Sequence, residues 1–523
     1  MTFSTLDLII FTGYCLLIIT VALWVSRKKK GEEKNTKDYF LAGNSLPWWA
    51  IGTSLIAANI SAEQLIGMTG DGFTMGIAIA SYEWMAAITL IVVGKFFLPI
   101  FLEKKIYSMP QFLEIRYDSR VKTILALLWL TLYIFVNLTS IMYLGGVCIE
   151  QVFGIPLQYA IIGIAVFSAF YTIIGGLKAI AYTDFIQVGF LIVGGLITTS
   201  LALDHFSGGA GFLGGMQQVY EQFPEKFHMI FDESSKYHAS LPGVLGVFVC
   251  LWIVNLNYWG FNQYITQRAL AAKNLKEAQK GVILASFLKI LMPMIVVVPG
   301  IIAFALKAPL TEEGKDQVYP WLLNSYLFPG IKGVVFAALV AAIVGSLSSK
   351  TNSIATIFTM DIFKPVFGKQ MSEGKLVNVG RICTLVSLVI AVFLAPFINL
   401  FQGGFQFIQE FTGFFSPGIF VIFVFGLFWK RANTQGALAV AICTLPVSLI
   451  LYFYADGLPF LYRIMISFIS LSAIMIFMGL RAKTVDENKA IALSPSLFKT
   501  DKAFNTGAII VIFILIFLYT FLW

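Results

Sequence analysis

Residues 51–70 read IGTSLIAANISAEQLIGMTG, and residues 80–89 read ASYEWMAAIT. The first stretch lies inside an apolar run, yet it carries Asn59, Ser61, Glu63 and Gln64, and the second adds Glu83. At membrane depth an unpartnered carboxylate or amide costs several kcal/mol, so such groups point to a cation, a polar solute or a partner side chain. The structural alternative is that they only bond neighbouring helices or a buried water. It would have to account for all five at once.

The surrounding chain explains why the depth is that of a membrane. Of 523 residues, 58% are hydrophobic and 12% charged, with a mean hydropathy of +0.83. A helix needs about 20 apolar residues to cross the hydrocarbon. Fourteen such runs are read, at roughly 7–27, 46–68, 75–101, 121–149, 156–176, 182–203, 243–266, 279–307, 330–362, 376–396, 403–429, 433–455, 459–480 and 503–523. The 330–362 run exceeds a bilayer and has to tilt, bend or protrude. The expected fold is therefore all-α and integral to the membrane.

The net charge of +8 does not indicate nucleic acid, because the basic residues fall between apolar runs. With the N-terminus outside, 27 of the 36 Lys and Arg residues are cytoplasmic, six are outside, and Lys95, Lys289 and Lys350 lie within spans. That bias predicts both termini on the outer side of the membrane, with an even span count. Lys289 falls near mid-membrane, where a lone lysine requires a carboxylate or a polar cavity. The five cysteines all sit in apolar runs without metal-ligand spacing. His205, His228 and His238 share one loop, but irregularly, and no signal peptide is read at the N-terminus. Loops 204–242 and 308–329 are read as connectors, with a lid as the alternative.

Five runs from 46 to 203 and five from 243 to 429 each begin with a polar-interrupted segment. The second holds Asn255, Asn257, Asn262 and Gln263 around Trp259-Gly260. Matching interrupted helices in two halves indicate inverted repeats with a solute site between them. The chain then divides into 1–45 (an extra helix and basic loop), 46–203, the extracellular loop 204–242, 243–429, and 430–523 (extra C-terminal helices). No feature specifies an oligomeric state.

A neutral polyol needs paired donors and acceptors, an aromatic face and exclusion of water. Glu83 and Gln64 offer acceptors and an amide, Asn255 both functions, and Lys289 donors. Tyr258 offers a ring to stack on, while Gln406 and Gln409 share a helical face. A hard cation needs oxygen ligands, and 341–353, AAIVGSLSSKTNS, concentrates hydroxyls on one run. Any one of these serines could instead bond the preceding turn.

DYFLAGNSLPWWAIGTSLIAANISAEQLIGM, ASYEWMAAITL, YTDFIQ, NLNYWGFNQYITQRALAAK, ATIFTMDIFK and FQFIQEFTG together resemble the sodium/solute symporter family, in particular its sodium/galactose and sodium/glucose branch. The resemblance spans essentially the whole chain. It implies fourteen helices, a core of two inverted five-helix repeats (the LeuT-like arrangement) and alternating access, with sodium as coupling ion and no other cofactor. The implied sugar contacts are Gln64, Glu83, Asn255, Tyr258, Lys289 and Gln409. Tyr258 would cap the sugar from inside, backed by Trp259 and held by Asn59, and Met68, Tyr82 and Phe405 would close it off outside. The implied sodium ligands are carbonyls of Ala57, Ile60 and Ala342 with the Ser346 hydroxyl, and Asp184 matches an acidic residue on the ion's exit.

Three positions depart from the family pattern. Ala86 stands in place of a sugar-contacting serine, and Gly345 in place of the first of two adjacent serines. Lys350 lies one turn beyond Ser346, where an apolar residue is expected. Its ammonium is expected to snorkel toward the cytoplasm; the alternative is a cation that repels sodium.

The reading is a sodium-coupled importer of galactose or glucose, whose partners are sodium, a small neutral sugar and the lipid bilayer, without nucleic acid. A sodium symporter for sialic acid or an amino acid is the nearest alternative. A non-transporting sugar sensor is the other, and it would be expected to append a signalling domain after Trp523. No nucleophile–base pair or metal motif suggests an enzyme.

Overall fold

The described residues of the computed structural model are 4–26, 36–106, 108–312, 314–400, 404–483 and 487–523, without the side chains of 171, 174, 175, 399, 400 and 404–406. Among them every regular element is helical, apart from one bridge between Leu46 and Ala272. Among the described residues twelve helices are long and apolar enough to cross a membrane, so the chain is a multi-pass membrane protein.

Two of the fourteen expected crossings take another form. The first, 46–68, is a broken helix: Trp48–Asn59 ends where Ile60 adopts extended geometry (φ −71°, ψ 118°), and the chain resumes in a wide π turn at Glu63–Met68. No proline causes the break. Ser61 offers the freed backbone a local alternative, its amide donating to Gln64 Oε1 (3.0 Å) and its hydroxyl accepting from the Glu63 amide (3.1 Å). The 41-residue apolar stretch Glu63–Glu103 is divided at Gly76. There φ is +76°, and a Cβ would lie 2.3 Å from the Lys226 carbonyl oxygen, so only glycine fits. The other crossing, 156–176, contains the apolar helix Leu157–Phe170, short for a span, before a kink at Gly176 (φ +64°).

A second break mirrors the first. Leu251–Phe261 and Gln263–Leu270 are separated by Asn262 in extended geometry (φ −78°, ψ 121°). Here the partner comes from far along the chain. The Tyr133 hydroxyl accepts from the Gln263 amide (3.0 Å) and donates to Asn262 Oδ1. The over-long run near 330–362 bends: helix Ile331–Thr356 passes into a wide turn at Ile357–Phe363.

Arg268, fully buried, ties the second broken helix to the first and to Ile331–Thr356. Its guanidinium donates to Ser54 O (3.0 Å) and Oγ (2.8 Å), to the Tyr264 carbonyl and to Ser349 Oγ. A buried guanidinium is tolerable only when its donors are met in this way. Ser54 in turn donates to Asp184 Oδ2 at 2.5 Å.

Loops 204–242 and 308–329 pack down onto the helix and turn around Gly76. Lys226 donates to the carbonyls of Phe73 (2.9 Å) and Thr74 (2.7 Å), and Lys315 pairs with Asp71 at 2.8 Å. They are docked pieces rather than slack connectors.

Candidate functional site

Where each helix breaks, backbone groups and polar side chains turn inward, and a cavity of about 80 Å³ lies between the two breaks. One water needs about 10–15 Å³, so the space holds several waters or a small solute. Of the sugar contacts implied by the resemblance, all six line this cavity: Gln64, Glu83, Asn255, Tyr258, Lys289 and Gln409. Asn59, Met68, Tyr82, Trp259 and Ala86 line it too. The side chain of Phe405 lies outside the described residues, as does that of Gln406.

Lys289 organises the polar wall. Its ammonium lies 2.5 Å from Glu83 Oε2, donates to Asn59 Oδ1, and sits 5.2 Å from the centre of the Trp259 ring. The mid-membrane lysine thus has the carboxylate it required. One of its three donors and the second Glu83 oxygen remain to serve a solute. Asn59 passes the chain onward, its Nδ2 donating to the Tyr258 hydroxyl at 3.0 Å. Tyr258 meets Trp259 edge to face with centroids 5.2 Å apart. The ring that would cap a sugar is therefore fixed by a hydrogen bond at one end and an aromatic neighbour at the other.

Each remaining contact is held by its own element. Asn255 donates to the Leu251 carbonyl one turn back (3.1 Å), which leaves its Oδ1 as an acceptor. Gln64 accepts twice from Ser61, at 3.0 and 3.1 Å, which leaves its amide NH₂ as a donor. Tyr82 and Gln409, both lining the cavity, are hydrogen-bonded to each other. Tyr264, Asn137, Thr412 and Ser416 also line it, and sequence reasoning missed them. Their signal, an isolated polar group in an apolar run, is too common to single out.

Two of the expected sodium ligands, Ala57 and Ser346, lie on the facing helices Trp48–Asn59 and Ile331–Thr356, which meet beside them. The Ser346 hydroxyl donates at 3.4 Å to the carbonyl of Ala58, which follows the expected ligand Ala57. The Ala57 carbonyl oxygen lies 3.5 Å from where a Cβ on Gly345 would be. Ile60 and Ala342 are both buried, the first at the end of Trp48–Asn59 and the second within Ile331–Thr356.

Lys350 corrects the sequence expectation. Its ammonium does not snorkel: the residue is 1% exposed and donates to Ser346 Oγ at 2.7 Å. On a helix, residues four apart share a face, and a lysine stem reaches its own preceding turn as readily as an interface. The ammonium also lies 4.7 Å from the Tyr264 ring centre, and Glu63 provides an opposing charge. Asp184 is fully buried, held by Ser54 and facing the Arg268 charge.

These features meet in a known family. The model of the family described as "Sodium:solute symporter family" matches residues 39–443. A sodium/glucose cotransporter of Vibrio parahaemolyticus is 48% identical over 99% of this chain and 98% of its own. A sodium/myo-inositol cotransporter 2 of Oryctolagus cuniculus is 34% identical over 82% of this chain and 67% of its own. The solved structure of a Na⁺-coupled sialic acid symporter in a substrate-bound outward-open state superposes with a TM-score of 0.82, covering 93% of this chain and all of that one, at 21% identity. The last likeness speaks to the fold alone. The chain belongs to the sodium:solute symporter family.

Proposed function

We propose that the protein is a secondary active transporter that imports a small neutral sugar, galactose or glucose, together with sodium. The observation that carries this is the buried Lys289–Glu83 pair, wired through Asn59 to Tyr258. A pair of opposite charges leaves no net charge in the wall, and an anionic solute such as sialic acid would meet Glu83 without a spare cation. Hydroxyls suit the wall better, since each can donate to Glu83 and accept from Lys289 or Gln64. The 48% identity to a sodium/glucose cotransporter supports the same class of solute.

In this reading Tyr258, backed by Trp259, closes the cavity from the cytoplasmic side. Met68, Tyr82 and Phe405 close it from the outside, and sodium is held near Ala57, Ile60, Ala342 and Ser346, leaving past Asp184. The chain crosses a bacterial inner membrane fourteen times with both termini periplasmic. Segments 46–203 and 243–429 act as inverted repeats, a reading supported by the matching breaks at Ile60 and Asn262. One charge moving down 100 mV contributes about 2.3 kcal/mol, and a tenfold sodium gradient adds about 1.4 kcal/mol. Together these sustain a sugar gradient of several hundred-fold.

Uptake of a panel of labelled sugars into proteoliposomes, with and without an inward sodium gradient, tests the proposal. Sodium-driven accumulation of a hexose is expected. Accumulation of sialic acid or an amino acid in its place refutes the sugar assignment, and sugar binding without accumulation refutes transport.

A further inference from the structure

The positively charged group bonded to the expected ion ligand Ser346 belongs to the chain itself. Ser346 is the one side-chain oxygen in the proposed sodium set, and Lys350 donates to it at 2.7 Å, the length of a good charge-assisted bond. The surroundings suit a monovalent cation: the face of Tyr264 at 4.7 Å and the opposing charge of Glu63, whose Oε1 has no hydrogen-bond partner among the described residues. The second hydroxyl expected of the family is also replaced. A Cβ on Gly345 would lie 2.5 Å from Gln187 Oε1, so the glutamine side chain fills the place a serine would take. Both polar atoms of that Gln187 amide are buried without a partner among the described residues.

We infer that Lys350 is a tethered cation that holds the place of the coupling ion, so that sodium binds in this chain only after the ammonium has left Ser346. The inference rests on the sodium reading proposed above. Sodium binds through oxygen lone pairs and strips away most of its water. An ammonium bonded to the same hydroxyl brings a like charge within a few ångström, in a setting where solvent screens little. The two occupancies exclude each other. Apparent sodium affinity is then the intrinsic affinity reduced by the fraction of molecules in which the ammonium is away. Lys350 acts as a positioning residue for the ion step and touches no sugar in this account.

The test is a sodium titration of sugar uptake by the full chain in proteoliposomes, with choline keeping ionic strength constant. Lys350→Met keeps the length of the stem and removes the charge. Its half-saturating sodium concentration is expected to fall about tenfold or more below that of wild type, a gain that damage to the fold does not produce. Wild-type uptake indifferent to sodium, alongside a sodium-responsive Lys350→Met, supports the inference in its strongest form. Equal half-saturation in the two, or a higher value in the variant, overturns it. A second readout stands apart from transport: the rise in melting temperature of purified wild type, Lys350→Met and Lys350→Gln as sodium replaces choline. The variants are expected to respond at about tenfold lower sodium, and coincident curves overturn the inference. Should neither protein move any sugar while the melting curves still separate, the sugar reading fails and the tethered cation stands.

Discussion

Lys289 and Glu83 form a buried ion pair, 2.5 Å apart, with their side chains 1% and 5% exposed. Neither charge is sustainable there alone. Removing one partner of such a pair costs about 3–5 kcal/mol, because the other is left uncompensated. Glu83→Ala is therefore expected to lower the melting temperature and abolish uptake. The double variant Glu83→Gln/Lys289→Met, with no stranded charge, is expected to recover the melting temperature but not the uptake. Wild-type uptake by Glu83→Ala at normal expression would remove Glu83 from the sugar site.

The latch between Asn59 and Tyr258 separates two contributions of one residue. Tyr258→Phe keeps the ring and leaves the Asn59 amide without its acceptor, a cost of about 1–3 kcal/mol. Tyr258→Ala removes the stacking face as well. Partial uptake is expected from the first and none from the second. Equal loss in the two would mean that the hydroxyl does all the work of the ring.

Ala86 lines the cavity where a serine is expected from the family pattern. Ala86→Ser adds a hydroxyl that can bond a sugar at about 0.5–1.5 kcal/mol, which is about a two- to tenfold gain in apparent affinity. One epimer of a hexose pair is expected to gain more than the other. A panel in which no sugar distinguishes the variant from wild type would show that residue 86 does not touch the solute.

Tyr133 pins the second helix break without being among the cavity's lining residues. Tyr133→Phe leaves the Gln263 amide without its acceptor and Asn262 Oδ1 without its donor, at about 1–3 kcal/mol for each orphaned group. A lower melting temperature and slower turnover are expected, with the half-saturating sugar concentration moved less than the maximal rate. A shift confined to sugar affinity would instead place the hydroxyl against the solute.

Much of this site is legible in the chain because charge in an apolar run has few places to go. The requirement of Lys289 for a carboxylate identified a real need, and the polar clusters around Asn59 and Asn262 marked both breaks without a proline. Tyr133 was not legible, since its partner lies 130 residues away and nothing local distinguishes it from a packing tyrosine. Lys350 was misread for a different reason. Its spacing from Ser346 places both on one helix face, but spacing alone does not say whether a flexible stem turns inward or outward. The expected run boundaries at 75 and 176 fall at the Gly76 and Gly176 turns, where a positive φ divides the helices.

The buried ionic groups around the two breaks come in opposite signs: Glu83 with Lys289, Glu63 with Lys350, and Asp184 with Arg268. Formally these six sum to zero. If these couples are the charges that move across the field, the carrier is electrically silent when it reorients empty, and the membrane voltage has no grip on that leg of the cycle. All of the voltage's leverage then falls on the leg that carries an ion. Current should accordingly appear only with solute present, in fixed proportion to the ions moved, and hyperpolarisation should speed loading without hastening the empty return.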